Sequence, residues 1–159
     1  MDNWLELAGY YLSEGGMDSK NHYVFTLAQS HKNADENIIK IRSLLAKLVP
    51  AFHVHEYEGA DKMVRWNVSG QQLCNFVASE FGEGHLNKRI PPKYKNLSRR
   101  QLRILFDALF LGDGVCINGR PRVYCTTSRR LAFDVSEIAM KLGIPPILEI
   151  LLTPDQKEV

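Results

Sequence analysis

Long apolar runs are missing from this sequence: none approaches the roughly 18 residues that a membrane span requires. No positively charged and then apolar leader of the secretory kind opens it. The expectation is a globular intracellular protein, cytoplasmic or nucleoid-associated, with no membrane partner. Cysteine is scarce too. Cys74, Cys116 and Cys125 are odd in number and share no short spacing, which supports neither a disulfide framework nor a cysteine zinc site. His53 and His55 lack a third ligand at helical or strand spacing, so they do not read as a metal pair. Acid is missing from one long stretch. The net charge is only +2, yet residues 88–130 hold eleven Lys and Arg against Asp107 and Asp113 alone. A basic segment with two isolated carboxylates suits a polyanion held beside a metal.

What is present is a repeat. Leu7-Ala8-Gly9-Tyr10-Tyr11-Leu12-Ser13-Glu14-Gly15 returns 99 residues later as Phe106-Asp107-Ala108-Leu109-Phe110-Leu111-Gly112-Asp113-Gly114. Each is an apolar helical stretch with small residues four apart, closed by a carboxylate and a glycine. The first helix is expected to start at Asp2 or Asn3, either of which can cap its free N–H groups, and to stop at Gly15. The second is announced by Ser98 and Gln101 in capping-box spacing, with Leu97 and Leu102 as a hydrophobic staple. A strand-like run follows each helix, residues 22–30 and 120–128. Its alternation puts Phe25, Leu27, Val123 and Cys125 toward a core, and His22, Val24, Thr26, Arg120, Arg122 and Tyr124 toward a ligand.

An amphipathic helix comes next in each copy, over 37–48 and 131–142. The first copy continues with a hairpin, residues 52–57 and 63–69, around Gly59-Ala60-Asp61, and a helix over 70–81. In that hairpin Val64, Trp66 and Val68 point inward, while Arg65 and Asn67 share the outer face with His53, His55 and Tyr57. The second copy is shorter: one strand over 147–152 is expected, then Thr153-Pro154 and a charged tail. The organisation predicted is an α+β chain of two repeats, 1–97 and 98–159, the second incomplete.

Gly9 and Ser13 lie one turn apart on one helix, as Ala108 and Gly112 do on the other. Small side chains at a contact let two helix axes approach closely. Approach at the C-terminal ends brings Glu14 and Asp113 together, where two carboxylates and two negative helix ends repel one another unless a cation intervenes. Hard oxygen donors favour Mg2+ or a similar divalent ion.

These paired segments resemble the signature of the LAGLIDADG homing endonucleases, and the resemblance covers nearly the whole chain. Gly84-His85-Leu86-Asn87-Lys88-Arg89-Ile90-Pro91 is similar to the lysine-containing block that precedes the second signature in intein-borne (DOD-like) members. The resemblance implies a monomer with a pseudo-twofold repeat of αββαββα, its antiparallel sheets forming a saddle on duplex DNA. It also implies metal-dependent hydrolysis of the phosphodiester, with Glu14 and Asp113 as catalytic metal ligands and Lys88 as a catalytic residue acting on the scissile phosphate. Here Glu14 stands where aspartate is commoner.

DNA contacts are expected from two groups. His22, Thr26, Arg65, Asn67, Arg120, Arg122 and Tyr124 project from strands toward base edges, and Lys93, Lys95, Arg99, Arg100, Arg129 and Arg130 reach phosphates. If the chain is embedded in an intein, a host protein is a further partner. Non-catalytic members of the fold, RNA splicing maturases or DNA-binding regulators, are the second class of function, and an inactive remnant is the third. Retention of both acids favours the nuclease, because a pure binder needs neither.

Overall fold

A computed structural model describes residues 1–18, 23–30, 35–48, 50, 52–115 and 123–149, without the side chains of Asp35, Asp113 and Val115. Two central helices organise it. Helix α1 (Asp2–Glu14) is buried on nearly every side, with Leu5, Leu7, Ala8, Tyr10, Tyr11 and Leu12 inside. Helix α5 (Arg99–Asp113) buries Leu102, Leu105, Phe106, Ala108 and Leu109. An apolar helix with so little polar face is stable only when surrounded, which is how a central helix behaves.

The sheet of the first half has the order β1-β2-β4-β3 and is antiparallel throughout. Its strands are β1 (Gly15–Met17), β2 (Val24–Ser30), β3 (His53–Glu58) and β4 (Met63–Ser69). Strict alternation in β2 and β4 buries Phe25, Leu27, Val64, Trp66 and Val68 on one face. Helices α2 (Asp35–Leu48) and α3 (Gln71–Phe81) add Ile38, Ile41, Leu44, Leu45, Cys74, Val77 and Phe81 to the same core. A single helical turn, α4 (Pro92–Lys95), leads into α5. The second half repeats the order on a smaller scale: α5, then β5 (Gly114–Val115) paired with β6 (Val123–Tyr124), then α6 (Arg129–Lys141). As β1 starts at the residue after α1, so β5 starts at the residue after α5. Among the described residues no helix is long and apolar enough to cross a membrane.

Several expectations are corrected. Asp2 does not cap α1, which has no side-chain cap; its carboxylate instead accepts from Arg100 of α5. Ser98 accepts from the Gln101 N–H at 3.4 Å, but the Gln101 side chain turns to the Ser98 hydroxyl rather than back to the backbone. Strand β6 is two residues long, and its alternation is the reverse of the expected one. Val123 and Cys125 are exposed, while the Tyr124 ring is half-buried 5.5 Å from the Phe110 ring, itself 4.5 Å from Phe106. In a two-stranded sheet no neighbour fixes which face is inside, and the aromatic cluster on α5 offers Tyr124 the larger burial. Residues 147–149 form no strand, and 150–152 lie outside the described residues.

Candidate active site and nucleic-acid interface

Helices α1 and α5 run parallel and in contact along their length. Asp2 meets Arg100 at the N-terminal ends. Midway, a Cβ on Gly9 would stand 2.5 Å from the Ala108 Cβ and 3.1 Å from the Leu105 carbonyl oxygen. At the C-terminal ends a Cβ on Gly112 would collide with the Ser13 side chain and stand 3.1 Å from Glu14 Cγ. Glycine at both places lets the backbones close to a distance that any side chain would prevent. Ser13 turns its hydroxyl back to the Gly9 and Tyr10 carbonyls, at 3.0 and 3.3 Å, and so presents a small surface to α5. The half-buried Glu14 side chain therefore packs at its Cγ against the last turn of α5, next to Asp113, whose side chain lies outside the described residues.

Lys88 reaches this junction from the connecting segment. Its side chain is buried, with Nζ donating to the Ser13 carbonyl at 3.1 Å and standing 5.6 Å from the centre of the Tyr11 ring. Both halves hold its backbone. The Ser128 hydroxyl, fully buried at the start of α6, donates to the Lys88 carbonyl at 2.7 Å and accepts from the Leu131 N–H at 3.2 Å. Asp134 accepts the Ile90 N–H at 2.8 Å, and the Arg89 N–H reaches the Phe81 carbonyl at 2.9 Å. Tyr11 donates its hydroxyl to the Gly82 carbonyl at 2.9 Å, and burial pushes that phenol far above its ordinary value. Gly82 itself has φ +87°, and a Cβ there would strike the Asn87 backbone. A depression of about 410 Å3 opens over the lysine between Ser13, His85, Cys125, Thr126 and Thr127, with Leu12 at its floor.

Among the described residues no three His, Cys, Asp or Glu side chains cluster as metal ligands. The donor set at the helix junction nonetheless has the chemistry of a hard-cation site. It offers the Glu14 carboxylate beside the C-terminal ends of two helices, where partial negative charge gathers.

The outer face of the first sheet carries the polar side chains. Thr26 on β2 faces Asn67 on β4, which faces His55 on β3, and the Thr26 hydroxyl donates to Asn67 Oδ1 at 2.9 Å. In the next row Ala28 faces Arg65, which faces Tyr57. His55 and Tyr57 stack with ring centres 5.6 Å apart. Sequence reasoning placed His53, His55 and Tyr57 on this face but gave them no role; the same alternation that selected Arg65 and Asn67 carries that signal.

The other assigned residues divide. His22, Arg120 and Arg122 lie outside the described residues. Arg129 and Arg130 are exposed at the start of α6, directly after the serine that holds Lys88, with the Arg129 guanidinium 5.9 Å from the Phe133 ring centre. Tyr124 is engaged in the aromatic cluster. Lys93, Lys95, Arg99 and Arg100 lie at the opposite end of the helix pair, with Arg99 about 20 Å along α5 from Asp113. Each has a structural partner there. Lys93 pairs with Glu80 at 2.5 Å, and Lys95 pairs with Asp134 and Glu137, both at 2.7 Å. Arg99 donates to the Leu142 carbonyl at 2.9 Å, and Arg100 holds Asp2.

Comparison with solved structures settles the architecture. The chain superposes on mesophilic variants of the homing endonuclease I-DmoI with a TM-score of 0.64, covering 91% of this chain and 78% of that one. The fold is that of a homing endonuclease. I-DmoI in complex with DNA and Ca gives a TM-score of 0.63, covering 91% of this chain and 73% of that one. I-DmoI with DNA and Mn gives the same score over 91% of this chain and 79% of that one. Identity in all three is 14%, so the likeness is one of fold. No family model matches the sequence. A stretch of 92 residues, 56% of the chain, is 32% identical to part of the ATP-dependent Clp protease proteolytic subunit of Chlamydomonas moewusii, and spans only 9% of that protein.

Proposed function

We propose that this chain is a LAGLIDADG homing endonuclease, built of repeats 1–97 and 98–159, that hydrolyses phosphodiesters in both strands of a specific duplex site. One observation carries the reading. Two helices close on glycines so that Glu14 leans on the residues before Asp113, and a buried lysine is delivered to the same junction. Two carboxylates and two negative helix ends carry more charge than the one lysine at the junction balances, and a divalent ion would balance the remainder.

Glu14 and Asp113 would hold a divalent ion, magnesium by the chemistry of the donors, and when bound it supplies activation of water and stabilisation of the leaving oxygen. Lys88 places a positive charge where the non-bridging oxygens of a phosphate in the neighbouring depression accumulate negative charge. Its anchoring by Ser128 and Asp134 fixes that charge before substrate arrives. Thr26, Asn67, Arg65, His55 and Tyr57 face the major groove, where Asn and Arg distinguish adenine and guanine. Arg129 and Arg130 contact phosphates near the junction.

The relative from Chlamydomonas moewusii is named for a protease subunit, yet the match occupies under a tenth of it. An endonuclease inserted in a host protein, as in an intein, accounts for that proportion.

Duplexes selected by the purified chain from a randomised library supply the substrate for the test. Magnesium-dependent double-strand cutting is expected, with Glu14→Gln and Asp113→Asn each losing at least about a hundredfold in rate through loss of charge stabilisation. Cutting that survives both substitutions would remove the assignment.

A further inference from the structure

The turn between β3 and β4 is built around an ion pair. Arg65 donates end-on to Asp61, Nη1 to Oδ1 at 2.9 Å and Nη2 to Oδ2 at 2.5 Å. Asp61 Oδ1 also accepts the Met63 N–H at 3.2 Å, and Lys62 takes φ +60° to close the turn. Gly59 is the space for the pair: a Cβ there would strike Arg65 Nη1 and stand 2.5 Å from Asp61 Oδ1. Arg65 lies on the outer face of the sheet between Ala28 and Tyr57, so the pair stands on the face read above as the DNA surface.

A lone arginine on such a surface binds any phosphate it meets. One with both terminal nitrogens committed to a carboxylate contributes no net charge, and the carboxylate repels phosphate. The guanidinium N–H groups that Asp61 leaves over still donate, beside a carboxylate that still accepts. In the major groove a G·C pair presents two neighbouring acceptors, guanine N7 and O6, and then the cytosine N4 amino donor, whereas an A·T pair sets the adenine N6 donor where the second acceptor stands, against those N–H groups. We infer that Asp61 and Arg65 form one base-reading unit that selects a G·C pair in the half-site under the first sheet and withholds Arg65 from non-specific phosphate contact. This rests on the DNA-binding reading above.

The test uses the full chain without divalent ion. Selection from a randomised duplex library by the wild type, Asp61→Asn and Arg65→Lys is combined with titrations of an unrelated duplex against salt. The asparagine keeps the oxygen that accepts from Met63 and so leaves the turn its bond. Wild type should require G·C at one position, and both variants should relax that position while the others keep their preference. Asp61→Asn should also bind the unrelated duplex about tenfold more tightly at low salt, with a salt slope steeper by about one, because one further phosphate is neutralised. An unchanged preference together with an unchanged slope in Asp61→Asn would overturn the inference while leaving DNA binding intact. Failure of the wild type to bind any duplex would overturn both readings.

Discussion

Single residues at the junction are held more tightly than their surface-like sequence context suggests. Lys88 sits in a basic run, yet it is buried against the Ser13 carbonyl and the Tyr11 ring. Lys88→Met keeps the apolar stem that packs there but takes a donor from the Ser13 carbonyl, so denaturation by urea should find stability lowered by about 1–3 kcal/mol. The cutting rate should fall at least about a hundredfold, because the charge is gone. The neighbouring tyrosines give a pH signature. Burial raises the Tyr10 phenol from 10 to about 12 and raises Tyr11 further, so the native chain keeps protons that the unfolded chain releases. Their contribution is whole below pH 10 and is lost as pH rises toward and through 12. Thermal melts across that window should show a midpoint that is flat below pH 10 and falls above it. The block that carries Lys88 has a distinctive pattern in the sequence, and the structure brings that lysine to the Ser13 carbonyl. The pairing of Lys95 was not legible, because its partner, Asp134, lies 39 residues away and charge alone does not show a contact.

At the level of elements, the helix pair was the most legible part, since glycine and small residues at turn spacing have few other uses. The second strand pair was the least. Period-two alternation states that two faces differ, but not which is buried, and Tyr124 followed the Phe110 ring rather than the pattern. The close helix contact makes a direct prediction. Gly9→Val forces a branched side chain onto the Ala108 Cβ and the Leu105 backbone, and overpacking of this kind costs about 1–3 kcal/mol. A loss of unfolding free energy in urea smaller than this range would mean that the helices separate without penalty. The start of α6 is the other sensitive element. Ser128→Ala removes both a helix cap and the bond to the Lys88 carbonyl, with an expected loss of about 1–2 kcal/mol in the same assay.

On the scale of the whole molecule, charge and topology separate two ends. The basic residues 93–100 look from composition like a continuation of a nucleic-acid surface, and in the structure they tie α4 to α3 and α6, and α5 to the end of α6 and to Asp2. Sequence cannot order such residues along a helix axis relative to a site until the pairing of the helices is known. The opposite end gathers Glu14, Lys88, the start of α6 and the depression beside it. The most direct measurement of the account is cleavage of a selected duplex by the purified chain, with and without magnesium, in wild type and in Glu14→Gln. Paired strand breaks that require the ion and disappear in the variant are expected. Breaks made equally well by Glu14→Gln, or by the wild type with the ion chelated, would contradict it.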